Sequence, residues 1–259
     1  SDIWEYTKKS FNFMWPKTTI KKNFLSSSKL AELRLNQILK MMKINKSFFK
    51  DKVILDSGCG PGRYIHHLLK YKPSEIIGVD SGKDIIKQNK IKFKNYKNVK
   101  FLNCDLNNLP FKYEKFDFII SAGVLHHVGK NIKNLIHDHA RSLKKGGNFF
   151  VFIAGKGGQE LELWEFCRKV FRDVNIEQVF NKLKNEISPL RLQGLLDHGY
   201  GEYAETSRTQ FEKILKKSFT KVKIVKGVPG ADVTKHLFRK DKFFKRRFGT
   251  GNLRYLCIK

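Results

Sequence analysis

The stretch Val53-Ile-Leu-Asp-Ser-Gly-Cys-Gly-Pro-Gly62, followed by Ile76-Ile-Gly-Val-Asp80, decides the fold of this 259-residue chain. A β-branched run breaks into three alternating glycines, and a second such run ends on an acidic residue. Gly58, Gly60 and Gly62 fall where a strand turns into a helix; lacking Cβ atoms, they permit a tight bend and a close approach of ligand to backbone. Pro61 suits the first helical turn, where no amide donor is needed. Outward from this turn, short β-branched runs alternate with amphipathic ones: 53–55 then 64–70, 76–79 then 84–94, 99–102, 116–120 then 132–143, and 149–153. Strands alternating with helices predict an α/β fold with a doubly wound, mostly parallel sheet covered on both faces.

The chain reads as a single domain in four parts. Residues 1–51 form an aromatic and basic preface with a helix expected at 29–42; 52–155 form the core; 156–206 form an inserted cap of two or three helices; and 207–259 carry a helix, a strand at 222–225, a basic loop at 227–251 and a last strand at 253–258. The 41% hydrophobic content is ample for a core under such a sheet.

Spacing discriminates between cofactors. A dinucleotide fingerprint places a third glycine at position 63, where this chain has Arg63. Asp56, just before the loop, would repel a pyrophosphate but suits the ammonium of a methionine moiety, or the loop amides themselves, which favours S-adenosylmethionine (SAM). Asp80 is expected to accept hydrogen bonds from ribose hydroxyls, and Asp105 with the Leu106 amide to read adenine. Cys59 and Ser81 sit in the same two turns and complete the expected cofactor set.

The run Leu55-Asp-Ser-Gly-Cys-Gly-Pro-Gly62, then Gly78-Val-Asp80, Asp105-Leu-Asn-Asn-Leu-Pro-Phe111, Phe116-Asp-Phe-Ile-Ile-Ser-Ala-Gly-Val-Leu-His-His127 and Leu143-Lys-Lys-Gly-Gly147 resembles the class I SAM-dependent methyltransferases, in particular the branch containing the ubiquinone and menaquinone enzymes. The likeness covers about residues 52–155. It implies a seven-stranded Rossmann-like sheet whose last strand runs antiparallel, with SAM held by Gly58, Gly60, Asp80, Asp105 and Leu106 and by the backbone around Ala122. The opening Lys9-Ser-Phe-Asn-Phe-Met-Trp15 is similar to a Ser-Phe-Gly-aromatic-x-Trp motif of some sugar and surface-glycan methyltransferases, departing from it at Asn12 and Met14; the likeness implies a substrate contact at Trp15.

Histidine accepts protons near neutral pH, so His126 and His127, just past the fourth strand, are the candidate general bases. His137 and His139 are expected at the surface. Arg191, His198, Tyr200 and Tyr203 of the insertion are the candidate acceptor contacts. Arg239, Lys240, Lys242, Lys245, Arg246 and Arg247 of the basic loop are expected near the mouth, where an anionic acceptor would be welcome. The formal charge of +28 also suits phosphates or RNA. No segment has the roughly 18 apolar residues of a membrane span, the amino end has no signal-peptide pattern, and Cys59, Cys104, Cys167 and Cys257 lack metal-like spacing. A cytoplasmic enzyme without a metal is the expectation. The main functional reading is methyl transfer to an oxygen or nitrogen of a small-molecule acceptor, a metabolite or a sugar or glycan precursor. Methylation of a tRNA or other RNA nucleoside is the alternative, supported by the charge and by a likeness of the His-His motif to wobble-uridine enzymes. A non-catalytic SAM-binding partner subunit is the third reading.

Overall fold

A computed structural model of the chain describes residues 3–19, 21–43, 46–111, 113–129, 131–225 and 246–259. Seven strands form one sheet: β1 (Val53–Ser57), β2 (Glu75–Asp80), β3 (Val99–Asn103), β4 (Phe116–Ala122), β5 (Leu143–Ala154), β6 (Lys221–Ile224) and β7 (Asn252–Ile258), in the order β3-β2-β1-β4-β5-β7-β6. The first five run parallel, and β7 pairs antiparallel with both β5 and β6. The antiparallel last strand and the doubly wound sheet agree with the sequence expectation.

Both faces of the central strands are buried, as a parallel sheet between helices requires. On one face Leu55, Ile119 and Val151 pack with Leu135 and Ile136 of α5 (Ile132–Ser142) and Phe211 and Leu215 of α9 (Arg208–Ser218). On the other, Ile54, Phe118 and Ile120 meet Leu35 and Ile38 of α2 (Lys21–Met42), Ile65 and Leu68 of α3 (Arg63–Leu68), and Ile86 of α4 (Lys83–Lys92). Strand order reverses at β1, between β2 and β4, so the ligand crevice opens beyond the carboxyl ends of these strands.

Two features lie over that crevice. The preface forms a helix of its own, α1 (Ile3–Thr18), which the mixed Trp, Phe and Lys spacing did not announce; Pro16 sits two residues before its end. The insertion forms α6 (Gln159–Phe171), α7 (Ile176–Leu183) and α8 (Pro189–Tyr200). Met14 of α1 and Leu192, Leu196 and Tyr200 of α8 make a third apolar cluster, which binds α1 and the cap into one roof. Within the described residues, no helix is long and apolar enough to cross a membrane.

One sequence expectation fails outright. His139 is fully buried rather than superficial, because it continues the Ile132, Leu135, Ile136 stripe of α5 at helical spacing and stacks on Phe149. His137 lies on the opposite, exposed face.

Candidate active site

The turn after β1 is shaped by positive φ angles at Gly58 (75°), Gly60 (47°) and Gly62 (79°). At Gly58 a Cβ would fall 2.3 Å from the Val124 side chain, whereas at Gly60 it would project into open space. The loop is pinned from β2: the Gly58 and Cys59 amides donate to Val79 O at 2.9 Å, and the Gly60 amide donates to Asp80 Oδ2 at 2.9 Å. Asp80 Oδ1 accepts from the Gly82 amide, also at 2.9 Å. Asp80 therefore braces the glycine loop and the entry to α4 at once, with oxygen lone pairs left for a ligand.

A cavity of about 500 Å³ lies on this loop. Gly58, Gly60, Asp80, Ser81, Asp105, Leu106 and Ala122 form its floor; Lys8, Phe11 and Trp15 of α1 roof it; Arg34, Arg63, His127 and Asp197 close one end. Asp56, Cys59 and Gly62 lie behind this surface. Cys59 takes a contact from Asn89, and Gly62 packs against Phe93. Asp56 is 2% exposed, and its Oδ2 has no hydrogen-bond partner among the described residues. Burial pushes the Asp56 carboxyl up to about 8, against the pull of Arg63. Burial and the charge of Arg34 together draw the Arg63 pKa down. Buried Arg34 Nε is likewise without a partner among the described residues.

The His-His turn is held rigidly. The Ala154 amide donates to His126 Nδ1 at 3.3 Å, so the neutral ring carries its proton on Nε2. His127 Nδ1 donates to Glu202 O at 2.7 Å, which leaves Nε2 as the unprotonated nitrogen, 3.8 Å from Asp197 Oδ1. Burial lowers both pKa values, that of His126 far more; Asp197 opposes the fall at His127. The Ala204 amide donates to His126 O at 2.7 Å and ties the segment after α8 to this turn.

A second cavity of about 300 Å³ shares Arg34, Gly123, His127, Phe152 and Asp197 with the first. Flat rings line it in series: Trp164 and His198 stack at 5.0 Å, His198 and Tyr203 lie nearly parallel at 6.0 Å, and Tyr203 and His126 stack at 5.0 Å. Tyr203 Oη is 2.8 Å from His198 Nδ1.

The sequence-predicted acceptor contacts divide by helical face. His198 and Tyr203 line the second cavity and Trp15 the first, with the Arg63 guanidinium 5.2 Å from the Trp15 ring centroid. Tyr200 instead follows Leu192 and Leu196 on the buried face of α8 and donates its hydroxyl to Val174 O at 3.0 Å. Arg191 is exposed in the first turn of α8 and lines neither cavity. Arg239, Lys240, Lys242 and Lys245 lie outside the described residues; Arg246 and Arg247 are described and line neither cavity. Sequence reasoning missed Lys8, Arg34 and Asp197. The last sits one residue from His198 and four after Gln193, which also lines the first cavity, and that i, i+4 spacing was the available signal.

Comparison with known proteins fits this geometry. The family described as "Methyltransferase domain" matches residues 54–147. The YcgJ protein of Bacillus subtilis has the same fold, with a TM-score of 0.56 at 19% identity over 86% of this chain and 98% of that one. Residues 54–147 thus match a methyltransferase domain, on a fold shared with that structure. Among curated relatives, the chain is 35% identical to a tRNA U34 carboxymethyltransferase of Campylobacter fetus over 105 residues, 39% of this chain and 36% of that protein. It is 31% identical to "Probable tRNA methyltransferase 9B" of Homo sapiens over 103 residues, 39% of this chain and 21% of that protein. The chain thus spans about a third or less of the length of these relatives.

Proposed function

We propose that the chain methylates a nucleoside of RNA, tRNA foremost, rather than the small metabolite that the sequence reading put first. The observation that carries this is the second cavity. It opens from the cofactor cavity at His127 and is walled by the parallel rings of Trp164, His198 and Tyr203. Those rings stack on one another at 5.0 and 6.0 Å, too close to admit a base between them, so a flat heterocycle would pack along this aromatic lining, where contact with aromatic side chains is worth about 1–3 kcal/mol per base. The tRNA-directed names of the relatives support the same reading. So does the charge of +28, which favours a polyanion.

The residues present fit SAM. The open space above Gly60 admits the cofactor backbone, and Asp80 can accept from the ribose hydroxyls. Asp105 and Leu106 would border adenine. Arg34 and Arg63, which line the cavity, suit the carboxylate of a methionine end. When bound, SAM supplies an electrophilic methyl group on a sulfonium. The protein's share is to line up the acceptor behind that methyl and to keep water out, and alignment of this kind can contribute roughly 7–11 kcal/mol.

A flat-ring metabolite is the second reading, favoured by the small volume of the acceptor cavity, about 300 Å³. Incubation with methyl-labelled SAM and either bulk tRNA or a metabolite extract, followed by nucleoside digestion, separates the two. Label in a modified nucleoside is expected; label confined to the metabolite fraction would overturn the RNA acceptor. Asp80→Ala is the control. Losing charge-assisted bonds of about 1.5–3 kcal/mol each, it should weaken SAM binding by two orders of magnitude or more in calorimetry.

A further inference from the structure

We infer that His127 and Asp197 work as a pair that takes a proton from the acceptor, so that the atom methylated is a protonated one, a hydroxyl or ring N–H, and not a free amine. This rests on the methyl-transfer reading above and adds the chemistry of its acceptor. Geometry chooses between the two adjacent histidines. His126 spends Nδ1 on the Ala154 amide and presents Nε2 as a donor, so it has no lone pair to offer. His127 spends its Nδ1 proton on Glu202 O, and its remaining lone pair, on Nε2, belongs to a ring that lines both cavities.

Asp197 Oδ1 lies 3.8 Å from that Nε2, and Asp197 also lines both cavities. At that separation, beyond hydrogen-bond reach, the Asp197 carboxylate favours a proton on Nε2 through its charge. The ring cannot swing away from it. Phe11 packs edge-on at 4.8 Å, Tyr203 at 4.4 Å, and His126 lies at 4.1 Å on the third side.

The step balances without a further reactant. The acceptor's X–H bond breaks and its proton goes to His127 Nε2, where Asp197 stabilises the imidazolium. The freed pair forms the X–C bond to the methyl carbon, and the C–S pair returns to sulfur. The proton then leaves to solvent as product departs. The charged and titratable groups around His127 are Asp197 and His198 from α8, Arg168 from α6, Glu202 and Tyr203 from the segment after α8, and His126 from its own turn. Arg34 and Arg63 close the same end of the cavity. Asp197 is the carboxylate that holds the His127 pKa up against burial. It acts through His127 and is a positioning residue.

The test uses the full chain with Asp197→Asn and Asp197→Glu. NMR titration of His127 without cofactor should show its pKa lower in Asp197→Asn than in wild type. With bulk tRNA as acceptor, the acid limb of the rate profile should move to lower pH with it, and the plateau should fall by on the order of tenfold or more. Asp197→Glu should restore part of both. A His127 pKa unmoved by Asp197→Asn would overturn the pairing, and so would a pKa that moves while the acid limb stays in place. The titration needs no acceptor. If tRNA takes no label while the titration behaves as expected, the RNA reading fails and the pairing stands.

Discussion

Lys8 of α1 reaches across the mouth of the cofactor cavity to Asp105 at the end of β3, with Nζ 3.2 Å from Oδ2. The other carboxylate oxygen accepts from the Asn107 amide at 2.9 Å. Burial would raise the Asp105 pKa, but the Asn107 amide and Lys8 outweigh it and hold the carboxylate low. A helix absent from the sequence expectation is thereby latched onto the carboxylate expected to border adenine.

That latch is weak in energy and local in effect. Both side chains are about a third exposed (33% and 37%), so the pair is worth only ~0.2–1 kcal/mol. Lys8→Ala should therefore leave global stability within about 1 kcal/mol of wild type. It should also speed amide hydrogen exchange along α1, relative to α5, in the cofactor-free protein. Unchanged exchange in α1 would show that the apolar contacts of Met14 hold the roof without the latch.

The parts of the site that were legible are those made by local backbone. Alternating glycines, a β-branched run and a terminal Asp carry their meaning within a few residues, and Gly58, Gly60, Asp80 and Asp105 line one cavity. Arg34 and Asp197 reach the cavity from helices whose sequences look like ordinary solvated faces, and only the packing of α2 and α8 turns them inward. Tyr200 and Arg191 show the converse. Both are chemically suitable, but Tyr200 lies on the Leu192 and Leu196 face and Arg191 on an exposed first turn, so neither meets a cavity.

Asp56 should give the cofactor-free protein a distinctive pH dependence. Its folded pKa of about 8 stands above the ordinary carboxylate value near 4, so the native state keeps a proton that the unfolded chain has released. Its contribution to stability is greatest in acid and is lost as pH rises through that window. Asp56→Asn should therefore gain stability relative to wild type with rising pH, by on the order of a few kcal/mol at pH 8. Denaturant melts at several pH values read this effect; parallel stability curves for the two proteins would refute the raised pKa.

Ser57 and His139 form a buried pair directly beneath the glycine loop. His139 Nδ1 donates to Leu135 O at 2.6 Å, so Nε2 accepts from the Ser57 hydroxyl at 2.8 Å. Ser57 is the last residue of β1, immediately before Gly58, and both side chains are 0% exposed. Removing one partner strands the other, so His139→Leu and Ser57→Ala should each cost about 1–3 kcal/mol, while the double variant should recover part of the sum. Burial also holds the His139 pKa below its unfolded value. The stability it contributes is present above the unfolded histidine pKa and lost as pH falls toward the lower folded one. His139→Leu should accordingly lose less stability than wild type between pH 7 and pH 5. Strictly additive single costs, or equal acid sensitivity in the two proteins, would mean that the hydroxyl and the imidazole are not coupled and that β1 ends where it does by strand pairing alone.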